Sequence, residues 1–154
     1  EIGLLDALSS KKYKFINQYE EGISSEESLE RRRKGILSEL YISGTNAITQ
    51  GGQLVNCDGM GNRVAAQIFG PQKIFIVSSI SKIVPDVDAA FKRIREIAAP
   101  LNAKRLGIDS ACALGLGCEA CEPETCLCNF WTIIERQREK GKMTLFLIEE
   151  KFGF

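Results

Sequence analysis

Five of the six cysteines fall in one short window, Cys112-x5-Cys118-x2-Cys121-x4-Cys126-x-Cys128, while Cys57 stands alone upstream. Two thiols separated by two residues, as in Cys118 and Cys121, can face one ion across a tight turn, and the neighbouring thiols could complete a tetrahedron. Four soft sulfur ligands suit zinc and an iron–sulfur cluster alike, and the spacing matches neither a two-CxxC zinc ribbon nor the bacterial ferredoxin run. Free thiols, a redox-active pair and disulfides also stay open. Gly115, Gly117 and Pro123 leave the segment little apolar material, so a bound metal would supply its folding energy. A stapled secreted scaffold spreads its cysteines more evenly, which makes metal the first expectation for this local cluster.

A second set of chemistry-bearing residues lies in three polar segments: Gly44-Thr45-Asn46-Ala47, then Asn56 through Arg63 (NCDGMGNR), then Ser78 through Lys82 (SSISK). In the middle segment, Gly59 and Gly61 permit close backbone approach, the helix expected next offers unpaired N–H groups through Asn62, and Arg63 adds a fork of donors. These are the ingredients of an anion cradle. Lys82 is read as a charge partner for the same small anionic ligand, with Asn46 and Asn56 as orienting amides. Asp58 is the carboxylate among these segments and the candidate for general acid–base work; its other reading is a helix cap. With no histidine in the chain, triads and His-containing metal sites are excluded.

The elements that must hold these residues follow from the hydrophobic pattern. Residues 1–8 and 13–19 read as helical, and Ser24 caps a helix over 26–37 that carries acidic residues early and the run Arg31 to Lys34 late, a solvated face. Residues 39–43, 53–57 and 73–78 read as strands, and each precedes one of the three polar segments. Residues 61–69 form a short helix stopped by Gly70-Pro71. Pro85-Asp86 opens another whose Val87, Ala90, Phe91, Ile94, Ile97 and Ala98 make one buried stripe. Alternating strands and helices imply an α/β fold with a mostly parallel sheet flanked by helices. Ligands bind beyond the carboxyl ends of such strands, so the three segments are expected to share one crevice. Residues 131–135 and 143–149 are expected to pair as a C-terminal hairpin around a charged turn.

The 154 residues carry 20 basic and 20 acidic side chains, which removes a bulk polyanion partner such as nucleic acid or an anionic membrane. No stretch reaches the ~20 apolar residues of a membrane span and no signal-peptide pattern opens the chain, so a cytoplasmic protein is expected. One domain over 1–154 with a cysteine-rich insertion at 112–128 is the expected organisation. Glu1 opens a helix already under way, which suggests that an earlier segment is missing.

The stretch GTNAITQGGQLVNCDGMGNRVAAQIFGPQKIFIV, continuing through SKIVPDVDAAFKRIREIAAPLNAKR, resembles the LUD (lactate-utilisation) domain family, and the cysteine cluster with the terminal Gly-Phe is similar to its small stand-alone subgroup. The resemblance implies the fold shared by ribose-5-phosphate isomerase and coenzyme A transferases. It also implies a place in lactate or related organic-acid oxidation beside oxidoreductase or iron–sulfur partner proteins. Within the subgroup, Cys112, Cys118, Cys121 and Cys128 correspond to the recurring cysteines and become the expected metal ligands, with Cys126 extra and Cys57 a buried structural thiol. Relatives carry a further N-terminal strand and loop that would form one wall of the crevice. A more distant similarity, in Gly44-x-Asn46-x-Ile48 followed by Val55-Asn56 and a glycine loop, is to methylthioribose-phosphate isomerase. It gives the alternative: an isomerase or transferase acting on a phosphorylated or coenzyme A-linked substrate, with Asn46 where those enzymes carry a carboxylate. A third reading makes the cysteine segment a contact in a homo-oligomer.

Overall fold

The computed structural model describes residues 3–9 and 13–154. Seven strands among these residues form two sheets. Strands β1 (Leu40–Ser43), β4 (Lys73–Ser79) and β7 (Met143–Ile148) make a wholly parallel sheet in the order β1-β4-β7. Strands β2 (Ala47–Thr49), β3 (Leu54–Asp58), β5 (Ile83–Val84) and β6 (Phe130–Ile134) make the second, ordered β5-β2-β3-β6, in which β2 and β5 are parallel and the other pairs antiparallel. The chain is therefore an α/β protein with mostly parallel pairing and helices packed against its sheets.

Side-chain alternation along the strands sets the layers. Ile48 and Leu54 of the mixed sheet pack on Ile74 and Ile76 of the parallel sheet, closing one core between the two. The opposite face of the mixed sheet puts Ala47 and Val55 against Ala90 and Ile94, with Cys57, Phe91 and Trp131 at the margin. Helix α4 (Val87–Arg93) supplies that outer layer, and its cap is the expected one: Asp86 accepts from the Ala89 N–H at 2.8 Å. The outer face of the parallel sheet holds Phe75 and Val77 beside Ile42 and Phe146, with Leu4 of α1 (Leu4–Ser9) at its edge.

Helix α4 continues through a π turn, Ile94–Ala98, into α5 (Ala99–Leu106). Pro100 lacks the N–H that would bond back one turn, and the wide turn sits just before it. The extra residue rotates the stripe: Ala90, Ile94 and Ala98 are buried, whereas Ile97, expected among them, is 46% exposed. Helix α2 (Ser25–Ile36) is capped by Ser24 as expected, and its cations are engaged along the surface, Arg31 with Glu20 and Glu27 and Arg33 with Glu30.

Two expectations are corrected. Residues 13–19 are turn and irregular chain, not helix; Asn17 Oδ1 accepts from the Tyr19 N–H at 2.9 Å, a local bond that competes with helical pairing. The C-terminal strands do form, but they do not pair with each other: β6 joins β3 and β7 joins β4, in different sheets. The connection over 135–142 is longer than a tight hairpin loop and carries the chain from one sheet to the other. Residues 1–2 of the expected first helix lie outside the described residues.

Candidate functional site

Strands β1 and β4 run side by side, so the segments that follow them, 44–46 and 80–82, emerge at the same end of the parallel sheet. Strand β3 delivers its loop to that region from the other sheet. The three polar segments are thus brought together, although only two follow parallel strands.

Their side chains are bonded largely to one another. Asn56 is fully buried: its Oδ1 accepts from the Thr45 hydroxyl at 2.9 Å and the Asn46 N–H at 3.2 Å, and its Nδ2 donates to Gln67 Oε1 at 3.0 Å. Gln67, on α3 (Asn62–Ile68), passes the link on through Nε2 to Ser43 Oγ at 2.7 Å and the Gly44 carbonyl at 3.0 Å. Asn46 Oδ1 accepts from the Cys57 N–H at 2.9 Å and from Arg63 Nη2 at 2.7 Å. The Asn46 carbonyl accepts from Arg93 at 2.5 Å, and burial pulls the Arg93 guanidinium below its usual range.

The cradle at the start of α3 holds an anion supplied by the chain. Asp58 Oδ2 accepts the N–H groups of Arg63 and Val64 at 3.0 and 3.1 Å, while Oδ1 pairs with Arg63 at 2.5 Å. Arg63 also donates to the Cys57 carbonyl at 2.9 Å. Gly61 takes φ +80° at the helix cap, with the Phe130 ring 3.4 Å from where a Cβ would stand. Gly59 is held through its carbonyl by Asn129 at 3.1 Å. Asp58 and Arg63 thus act on each other and on the helix end, the capping alternative for Asp58. Lys82 is 5% exposed; its Nζ donates to the Thr45 carbonyl at 3.4 Å and lies 6.0 Å from the Phe152 ring. Gln67 and Arg93 lie outside the three polar segments identified from the sequence, whereas Ser79, whose hydroxyl accepts from the Ser81 N–H at 3.2 Å, lies within one of them. A glutamine on the buried side of α3, beside Val64 and Ala66, was the available signal for the first.

The cysteine segment leaves α5 through Gly107 and runs to β6 in turns, with Gly115 and Gly117 at positive φ. The Cys121 N–H bonds the Cys118 carbonyl at 3.2 Å, closing the expected CxxC turn. Cys112 Sγ lies 3.3 Å from Ser110 Oγ, and the Cys128 N–H points at Cys126 Sγ at 3.4 Å. Cys57, expected as a buried structural thiol, is half-buried.

The Cys128 thiol pushes the Cys57 thiol well up, with burial adding to it, and Cys57 in turn pulls Cys128 down to about 7 against burial, with the Arg95 guanidinium helping. Burial pushes Cys121 up to about 11, reinforced by its hydrogen bond with Cys126. Cys118 is raised first by burial of its sulfur and then by the charge of Cys128, with smaller effects from Cys112 and Cys126. The sulfur donors of the segment are of the kind that suits a soft ion. Among the described residues, no three or more Cys, Asp or Glu side chains are already grouped so that they could hold one ion. Metal binding requires the sulfurs to close further.

No helix among the described residues is long and apolar enough to cross a membrane. No curated protein and no solved structure matches the chain. The family model of the LUD domain matches residues 1–148, nearly the full length, and the chain belongs to the LUD domain family.

Proposed function

We propose that this LUD-domain protein is a cytoplasmic accessory or ligand-binding component of lactate or related organic-acid utilisation. Its cysteine segment holds zinc or an iron–sulfur cluster through Cys112, Cys118, Cys121 and Cys128. Family membership supports the metabolic setting. The observation that carries the metal reading is the placement of five cysteines within residues 112–128, with the Cys121 N–H closing the CxxC turn on the Cys118 carbonyl at 3.2 Å. A small anionic ligand is the expected occupant near Lys82, and an oxidoreductase or iron–sulfur protein the expected partner. The isomerase or transferase alternative needs Asp58 as a base, and both of its oxygens are engaged by Arg63 and the α3 N–H groups; the accessory reading is favoured for that reason.

Elemental analysis of protein purified anaerobically under reductant tests the metal. Zinc or iron in stoichiometric amount, lost in Cys118→Ser, is the expected outcome. Metal-free protein whose stability is indifferent to Cys118→Ser refutes it. Thermal shifts with 2-hydroxy acids and their coenzyme A esters test the ligand, and the absence of a shift with every such anion removes that part.

A further inference from the structure

The parallel sheet ends on one side in β7, and among the described residues no strand pairs with its outer edge. At six residues β7 is longer than the other edge strands, β1, β5 and β6. It contains neither a charge nor a proline, the usual devices that keep an open edge from pairing. Residues 144–147 are all exposed, so apolar side chains reach water on both faces. Leu145 and Leu147, 37% and 47% exposed, lie on the side of Ile74 and Ile76; Phe146, 44% exposed, lies on the other, edge-on to Phe75 at 5.2 Å. Parallel strands are ordinarily buried on both faces, so β7 has the composition of an inner strand at an outer position. The Lys142 carbonyl accepts from the Ile74 N–H at 2.7 Å, and alternation from there turns the peptide groups of Met143, Leu145 and Leu147 away from β4. The chain after β7 leaves them uncovered, because it returns over the end of β4, where the Phe152 ring lies 6.0 Å from Lys82 Nζ.

We propose that β7 pairs antiparallel with β7 of a second copy of this chain, joining the two parallel sheets into one about a two-fold axis. The order of charges along the strand selects a second copy as the occupant. Lys140 and Lys142 precede β7, and Glu149 and Glu150 follow it. Antiparallel self-pairing sets the basic end of each copy beside the acidic end of the other; parallel pairing would set like charges side by side. The outward peptide groups and the charges together fix the register. Leu145 faces Leu147 of the second copy as a hydrogen-bonded pair, Phe146 meets its own counterpart across the axis, and Lys142 comes opposite Glu150 of the second copy. A register two residues away would set Lys142 against Ile148 instead. Leucine then packs on leucine on the inner face and Phe146 on Phe146 on the outer face, which removes from water the side chains now exposed there. Strand β6, the next longest edge, is preceded by Cys126, Leu127, Cys128 and Asn129 and has no such polarity. The contact involves none of the cysteines, so it stands whether or not the 112–128 segment binds metal.

The test is sedimentation of the full chain over a dilution series, under reductant and with a chelator so that neither disulfides nor metal can link copies. A species of twice the 17.0 kDa chain mass is expected. Leu147→Lys should leave it monomeric with an unchanged far-ultraviolet circular dichroism spectrum. Glu149→Lys with Glu150→Lys, both on the surface and outside the strand, should raise the dissociation constant at least about tenfold, because symmetry counts each lost pair twice. Hydrogen exchange read by nuclear magnetic resonance locates the contact: the Leu145 and Leu147 amides should exchange more slowly as concentration rises and lose that protection in the glutamate double variant. A chain that stays monomeric at the highest concentration overturns the proposal. So does a dimer that survives both sets of substitutions, or one whose Leu145 and Leu147 amides exchange as open chain, since its contact then lies elsewhere.

Discussion

Asn56 has no solvent exposure and uses both ends of its amide, accepting from Thr45 and the Asn46 backbone and donating to Gln67. An aspartate there is nearly isosteric but sets an acceptor against Gln67 Oε1. Turning the Gln67 amide over does not help, because its Nε2 already serves Ser43 and the Gly44 carbonyl. Asn56→Asp should therefore cost about 1–3 kcal/mol, the penalty for a buried polar group left unmatched. The sign with pH follows. Burial favours the neutral acid, so the new carboxyl titrates in the folded state above its unfolded value. The variant is then closest to wild type at acid pH, where the protonated carboxyl can donate to Gln67, and it loses ground as pH rises. Urea unfolding of both proteins across that range measures it, and a constant difference would contradict the reading. The same residue shows where sequence reading reaches its limit. Asn56, Asp58 and Arg63 were identified as polar groups gathered at one place, and they are. Residue type does not reveal whether a polar group faces a ligand or another part of the chain; here Asp58 and Arg63 bond each other, and the remaining bonds run to Thr45, Asn46, Cys57, Val64 and Gln67.

At the scale of elements, the connection between α3 and β4 shows how closely the helices are fitted. Gly70 follows α3 and lies against the end of α2, where an added Cβ would stand 2.1 Å from the Ile36 carbonyl oxygen. Backbone cannot yield as a side chain does, so Gly70→Ala should destabilise by about 1–3 kcal/mol through overpacking. Gly35, inside α2, would meet only the Tyr41 ring, at an ordinary 3.6 Å. Gly35→Ala should be neutral or stabilise by about 0.5–1 kcal/mol through helix propensity. Thermal or urea unfolding of the two variants decides it, and equal effects would mean that the α2–α3 contact is not the cause. Elements with local signals were legible beforehand: Ser24 and Asp86 mark their helix starts by capping, and the continuous apolar, β-rich run at 73–78 marks β4. Those defined by distant partners were not. Strands β2 and β5 are three and two residues long and are strands because of their neighbours, and β6 and β7 looked like a hairpin until their separate partners were seen. The π turn at 94–98 was equally hidden, although Pro100 was the clue to it.

For the molecule as a whole, the strands after the cysteine segment belong to different sheets, and the segment itself contributes little to either core. Residues 112–130 are all half-buried or exposed, whereas β6 lies along β3 and β7 along β4 from Ile74 to Ser79. Local opening free energy follows buried contacts, so the segment should open far more readily than the sheets. It contains no lysine or arginine, but Glu119, Glu122 and Glu124 are exposed in it. A glutamate-specific protease under reducing, metal-free conditions should therefore cut within 119–124 before it cuts any strand. The nicked chain should remain folded, because the C-terminal piece is held by backbone pairing in two sheets at once and not by the covalent link through the segment. Added zinc, if it closes the thiols on one ion, should slow this cut without changing cleavage elsewhere. Native mass spectrometry of the cut protein reads whether the two pieces stay together, and the cleavage rate with and without zinc reads the closure. Separation of the pieces on cutting would show that the segment is a structural tie; retention would show that the two sheets carry the fold and leave the cysteines to their chemistry.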